Sequence, residues 1–455
     1  MSDLSRYDAI VIGAGMTGLA AADSLQRAGR CVCVVDAAPG PGGLARSIEV
    51  GGETIEAYYH HAFPQDRELH EMIKRLGLED RLEWRPASTA VLHDGRLYPF
   101  DSVLDLLRFG ALPLMARLRL GAGGLVAVVA GRRRGVGRQS VASAGPRWFG
   151  RRGYDVLWRP LLEGKFGAMA PDVSMAWLAA RMRQRANARK SGRGDKLGYL
   201  RGGFGVVAAE LERDLRRRGV AFHFHSPVRS IESAGEAWLV PTADAALESH
   251  TVLACVSSAA LAGLVQLPEP YREKAASIPY RGVVCALLEL DRPLSRYYWT
   301  NLAQTSPFAT LAVIEHTNLV PAERYGGSHL MYLTHYVDPS APIWSAGVDE
   351  IVEALMPTLR AINPAFDRSW ITRSHISRDR WAQPVPLVGG SMPDLPLETG
   401  LPGLLNASIA HIYPDDRGLA LAIRLGQRAA ARAEEWLSAG AADAGSTAPR
   451  PADEA

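Results

Sequence analysis

Three glycines in the stretch Gly13-Ala14-Gly15-Met16-Thr17-Gly18 follow an apolar run, Tyr7–Ile12, and open a helical pattern, Leu19–Ala28. A second apolar run, Cys31–Asp36, comes next. Strand, glycine turn, helix and strand in that order specify a βαβ unit with parallel strands. Each glycine answers a separate demand. Gly13 permits the tight turn, Gly15 lets the backbone approach a pyrophosphate, and Gly18 lets helix and strand pack closely. The helix start at Met16 and Thr17 offers N–H groups and a positive dipole end to the anion. Asp36 ends the second strand, where a carboxylate can accept from a ribose hydroxyl.

The continuation, Asp36-Ala37-Ala38-Pro39-Gly40-Pro41-Gly42-Gly43-Leu44-Ala45-Arg46-Ser47, distinguishes between dinucleotides. It resembles the extended signature of the flavoprotein amine oxidase and protoporphyrinogen oxidase superfamily, in which the acid precedes a Gly pair and an Arg. The resemblance implies FAD, with Gly42 and Gly43 along the diphosphate and ribityl chain and Arg46 offsetting phosphate charge. No second GxGxxG follows, which argues against a built-in NAD(P)H domain. Near the C-terminus, Asn406-Ala407-Ser408 and Tyr413-Pro414-Asp415-Asp416-Arg417-Gly418 precede a helix. The same resemblance implies that Asp416, Arg417 and Gly418 meet the ribityl chain, with the helix start facing the flavin pyrimidine edge. Val228–Ile231 and Thr251–Ser257 match the paired central strands of such a domain, with Val228 among the cofactor contacts.

The middle of the chain extends the likeness over roughly 7–435. Ala57-Tyr58-Tyr59-His60-His61-Ala62-Phe63 looks like the flavin-facing loop of UDP-galactopyranose mutases. Trp148-Phe149 and Leu161-Leu162-Glu163-Gly164-Lys165-Phe166-Gly167 are similar to the Lys-x-Trp-Gly stretch of those enzymes. Their paired diphosphate-binding arginines have no clear counterpart, so the broader protoporphyrinogen oxidase-like group fits better. His60 and His61 are catalytic candidates because imidazole titrates near neutral pH; the alternative is a pair that only packs behind the flavin. Lys165 is a third candidate, bridging through water to the flavin, against a surface or structural role. Tyr332 and Tyr336 fall on one face of a strand and are candidates to line the substrate cavity, and Trp381 is a candidate flavin flank.

These readings give an α/β protein: a Rossmann-type FAD-binding domain (1–100, 201–257 and 376–437), a helical cap insertion (101–200) and an antiparallel-sheet substrate domain (258–375). Ala90–Leu92 and Leu97–Phe100 flank a hairpin turn. Residues 66–77 and 348–362 carry helical spacing, and the last helix runs over 418–437. The tail, 438–455, is mainly Ala, Gly, Ser, Pro and acid and is expected to be disordered.

At 455 residues several compact units are needed, and a formal net charge of +3 gives no argument for nucleic acid. The start lacks a secretory pattern. Cys31, Cys33, Cys255 and Cys285 form no CxxC pair, so buried thiols in a reducing cytoplasm are expected and no metal site. Arg181 to Arg201 holds Arg183, Arg185, Arg189, Lys190, Arg193 and Lys196 with Asp195 as its one acid. A solvated face is the plain reading; an anion site with a mobile lid at Gly192, Gly194 and Gly198 is the sharper one. Leu104–Ala130, with Arg132-Arg133-Arg134 after it, reads first as a buried cap helix and otherwise as a segment at the inner membrane face. The chemistry expected is an FAD-dependent oxidase or dehydrogenase acting on a bulky, anionic or lipid-linked small molecule. The alternatives are a non-redox flavoenzyme of the mutase type and a binding protein like the GDP-dissociation inhibitors.

Overall fold

The computed structural model describes residues 4–131, 133, 135–190, 196–242, 245–303 and 310–446, the side chains of 130, 188–190 and 440–446 excepted. The glycine turn sits at the heart of a parallel sheet. Strand β1 (Leu4–Ile12) lies between β2 (Val32–Val35) and Ala246–Ala254, parallel to both. Ala221–His223 adds beyond β2, and Leu404–Asn406 pairs with Ala246–Ala254, again parallel. The hairpin of Glu232–Ala234 and Ala237–Pro241 continues that side antiparallel. Alternation divides the apolar runs between two faces. Ala9, Val11, Val32 and Val34 join the core with helix α1 (Met16–Arg27), whereas Ile10, Ile12, Cys33 and Val35 join Tyr271 and Ala275 of the helix Glu269–Ala276. Both faces are covered, so the strands read as unbroken apolar stretches.

A second sheet is largely antiparallel. Strand β3 (Tyr280–Leu290) lies between the edge strand Ile371–Pro384 and β4 (His329–Val337). Thr310–Glu315 and Trp299–Leu302 follow. Odd-numbered β3 residues Val283, Cys285 and Leu287 face the first sheet's core with Tyr332 and Tyr336. Val284, Ala286 and Leu288 face the helix Val348–Ile362, which covers the other side with Ile351, Leu355 and Leu359.

Between the sheets in sequence come mostly helices, including α2 (Leu114–Ala130) and α3 (Met175–Lys190). They enclose a core of their own around Phe109, Phe149, Phe166 and Trp177. The closing helix, α4 (Leu419–Ser446), packs along α1 so tightly that a Cβ at Gly426 would lie 2.2 Å from the Thr17 carbonyl oxygen.

Several expectations change. The hairpin Thr89–His93/Arg96–Pro99, placed by sequence in the first domain, pairs instead with Trp299–Leu302 of the second sheet. Ile371–Pro384 likewise carries part of 376–437 into that sheet. Val228–Ile231 joins no strand ladder among the described residues; Ile231 N–H donates instead to the Leu264 carbonyl. Cys31 is exposed, at the entry to β2 rather than within it. Gly198 belongs to the strand Lys196–Leu200, where Ala62 and Trp84 crowd it, so it is no lid hinge; Gly192 and Gly194 lie outside the described residues. α4 runs on to Ser446 where disorder was expected from residue 438, while 447–455 lie outside the described residues. No described helix is long and apolar enough to cross a membrane.

Candidate functional site

The geometry begins at the glycine turn. Gly13 has a φ of +106°, and a Cβ there would press on the Cys255 carbonyl at 3.0 Å. At Gly18 a Cβ would fall 1.8 Å from the Gly13 carbonyl oxygen, so the third glycine sets the helix-to-strand approach as expected. Gly15 differs. The nearest atom to a Cβ there is Gly43 Cα at 4.0 Å, and Gly15 pairs with Gly42 in a short parallel bridge. No described side chain caps α1, so the amides of Met16, Thr17 and Gly18 at its start, next to Gly15, are left without an intrahelical partner. Asp36 pins the turn: its carboxylate accepts from Ala14 N–H at 2.6 Å and Ala38 N–H at 2.7 Å. Arg46 bonds the Gly43 carbonyl at 3.3 Å and the Tyr58 hydroxyl at 3.1 Å, with its guanidinium over the Tyr58 ring.

A second cluster gathers residues distant in sequence. Lys165 Nζ bonds Asp416 Oδ2 at 2.8 Å, and both side chains are buried (9% and 5% exposed). Arg181 of α3 approaches the same oxygen at 3.5 Å. Arg417 donates to the Tyr336 hydroxyl at 2.6 Å and to the Ala382 carbonyl. Burial lowers the Lys165 ammonium to about 8, with Asp416 pulling the other way. Asp416 stays well below the usual carboxylate range: burial raises it, but Lys165, Arg181 and Arg417 together prevail. Its Oδ1 is buried without a hydrogen-bond partner among the described residues. Lys165 Nζ also lies 5.1 Å from the Trp177 ring and 5.4 Å from that of Tyr336.

The loop 57–63 joins the two clusters. Tyr59, His60 and His61 are deep in the molecule yet keep partial exposure, the behaviour of side chains bordering an internal space. His60 Nδ1 donates to the Tyr58 carbonyl at 2.7 Å, which leaves Nε2 as acceptor. His61 Nδ1 is 3.3 Å from the Tyr298 hydroxyl, and its ring meets Phe63 and Trp299 edge-on. Burial lowers His60 to about 4; burial first, then Arg185 and Arg181, lower His61 to about 3. Neither imidazole titrates near neutral pH here, which removes the reason for which sequence singled them out. They are neutral hydrogen-bonding walls.

The remaining predicted positions divide. Tyr336 belongs to the charged cluster, whereas Tyr332, on the same face of β4, bonds the Glu56 carbonyl at 2.6 Å and helps fix the loop. Trp381 is not gathered in; it is 37% exposed and packs edge-on against Tyr280. Val228 is half-buried beside the first sheet's core. A Cβ at Gly418 would meet nothing within 4 Å. Sequence reading missed Glu56, a buried carboxylate that accepts from Tyr199 and the Phe204 N–H. It missed Tyr298 and Trp299 as well, and only the basic run pointed to Arg181.

Residues 16–433 match the family described as flavin containing amine oxidoreductase. The chain belongs to that family. Putrescine oxidase from Kocuria rosea is 34% identical over 100 residues, a stretch covering 20% of this chain and 21% of that relative. Among solved structures, a candidate protoporphyrinogen oxidase from Exiguobacterium sp. 255-15 superposes with a TM-score of 0.75 at 17% identity, over 95% of this chain and 99% of the other. Putrescine oxidase bound to putrescine gives 0.70 at 16% identity over 95% and 100%. Cyclohexylamine oxidase from Brevibacterium oxydans IH-35A gives 0.69 at 18% identity over 95% and 99%. This flavin amine oxidoreductase is therefore an FAD-dependent oxidoreductase, and its own geometry fits the cofactor. The open Gly15–Gly43 cradle, the uncapped start of α1, Arg46 and the partnerless Asp416 Oδ1 are what a long, partly anionic ligand requires.

Proposed function

We propose that this protein is an oxidase or dehydrogenase for a bulky anionic or lipid-linked substrate. In this reading the parallel sheet and its helices form a Rossmann-type FAD domain, the antiparallel sheet a substrate domain, and residues 101–200 a helical cap. Substrate enters where the three meet. When bound, FAD supplies the acceptor for hydride from a C–H bond of the substrate. Gly13, Gly15, Met16, Thr17, Gly18, Asp36, Gly42, Gly43 and Arg46 hold its diphosphate half, and Asp416, Arg417 and Gly418 its ribityl and pyrimidine side.

The observation that carries the anionic reading is the charge count around Asp416. Lys165, Arg181 and Arg417 converge on one carboxylate, beside aromatic walls from Tyr59, Tyr336 and Trp177. Surplus positive charge in a sheltered, weakly screened space favours an anion. Arg181 orients that group. His60 and His61, both neutral, shape the cavity, and His60 Nε2 is left to accept a hydrogen bond from the substrate. Lys165 holds Asp416 in place.

The test is the anaerobic reduction of FAD-loaded protein by amine and C–H donors that carry a carboxylate or phosphate, compared with their neutral esters. The acids should react and the esters should need at least tenfold higher concentration. Arg181→Gln should erase that preference while leaving FAD bound. Equal reaction of acids and esters, unchanged by Arg181→Gln, would remove the anionic reading.

A further inference from the structure

Helix α2 leaves a continuous apolar stripe uncovered. Leu114, Met115, Leu118, Leu125, Val126 and Val129 are all exposed, with Met115, Leu125 and Val129 at 75%, 71% and 74%. At 100° per residue these positions fall within an arc of about 120° and run for about 22 Å along the helix. Val103 and Leu104 of the adjoining helix Val103–Arg108 are exposed as well. The opposite face of α2 is buried through Leu120 and Ala127, and a Cβ at Gly123 would lie 2.3 Å from the Trp148 carbonyl oxygen. Rotation of the helix is therefore fixed with its stripe outward.

Charge identifies the occupant. From Leu106 to Tyr154 the sequence holds ten arginines and no acid, in a chain whose formal net charge is +3. Arg117 and Arg119 bracket the stripe on its two sides. Arg117 is anchored to the Leu107 and Leu112 carbonyls and Arg119 to the Arg147 carbonyl, while Arg108, Arg133, Arg138 and Arg147 are exposed. A two-fold dimer through this face would set one arginine rim against another. A plane that is apolar inside and anionic at its surface meets both features.

We infer that this face docks on an anionic lipid bilayer, with α2 lying in the interface, its stripe among the acyl chains and the arginines at headgroup phosphates. The docked helix packs directly on α3, where a Cβ at Gly131 would lie 2.5 Å from that of Ala179. A bilayer at this face therefore stands one helix away from Arg181.

The test uses the full FAD-loaded chain and vesicles of phosphatidylcholine alone or mixed equally with phosphatidylglycerol. The protein should sediment with the mixed vesicles, and at least tenfold more weakly with neutral ones or in high salt. The triple substitution Leu118→Glu, Leu125→Glu, Val129→Glu, all at exposed positions, should lower partitioning by about a hundredfold or more. Retained flavin absorbance and thermal midpoint show that this variant is folded. No sedimentation with either vesicle, or unchanged binding by the triple variant, overturns the inference. So does a dimer, measured by light scattering, that the same substitutions dissociate.

Discussion

Removing Lys165 isolates Asp416 in the interior, and the cost can be worked from the structure. Both partners of the 2.8 Å pair are buried. Breaking such a pair from one side costs about 3–5 kcal/mol, because the remaining charge has lost its compensation. Arg181, 3.5 Å from the same oxygen, takes up part of that charge, so Lys165→Met belongs near the lower end, about 3 kcal/mol. In a chain this long that corresponds to a fall of roughly 3 °C in the thermal midpoint. Asp416→Asn alone leaves the lysine buried among arginines and should also destabilise. The double variant removes both charges, so the two losses should not add; a coupling of about 1–3 kcal/mol is expected. Thermal midpoints of apo and FAD-loaded wild type, both singles and the double supply the cycle. Singles that add without coupling would show that the pair does not hold the site together.

Three further outcomes follow from the same geometry. Gly15→Val should leave the apoprotein folded, since its side chain meets little but Gly43, yet raise the FAD dissociation constant at least a hundredfold; fluorescence titration with FAD reads this directly. Gly18→Ala should instead damage the fold, because its Cβ would sit 1.8 Å from a carbonyl oxygen, so soluble yield and circular dichroism should fall with FAD binding. Glu56 is raised by burial to about 7. Unfolded, it titrates near 4.3, so the folded state holds the proton more tightly; the stability this group adds is full below about pH 4.3 and lost as pH rises through 7, by up to about 4 kcal/mol. Glu56→Gln should flatten that part of the stability–pH curve, and an unchanged slope would assign it elsewhere.

Local pattern made much of the fold legible. The βαβ start and the helix Val348–Ile362 follow from periodicities that act over a few residues. What the hairpin Thr89–His93/Arg96–Pro99 pairs with was not legible, because its partner Trp299–Leu302 is distant in sequence and no local signal names it. Tail composition misled for a different reason. Alanine is the best helix former, and Ser438 shares Glu434 with Arg30, so α4 continues past Leu437.

The site was legible in the same proportion. Glycine positions follow from backbone demands that only glycine meets, hence Gly13 and Gly18 fell where expected. Sequence left Lys165 between a flavin-bridging, a surface and a structural role, because its partner Asp416 lies far along the chain and no local signal names it. The chemistry expected of His60 and His61 was not legible, because burial, with Arg417 acting on His60 and the arginines of α3 on His61, works through tertiary structure.

The central claim is most directly tested by the visible spectrum of the purified protein supplied with FAD, taken before and after anaerobic dithionite and again after air. The paired near-ultraviolet and blue bands of oxidised flavin should be present, bleach on reduction and return with an acceptor. A protein that stays colourless and takes up no FAD would contradict the account.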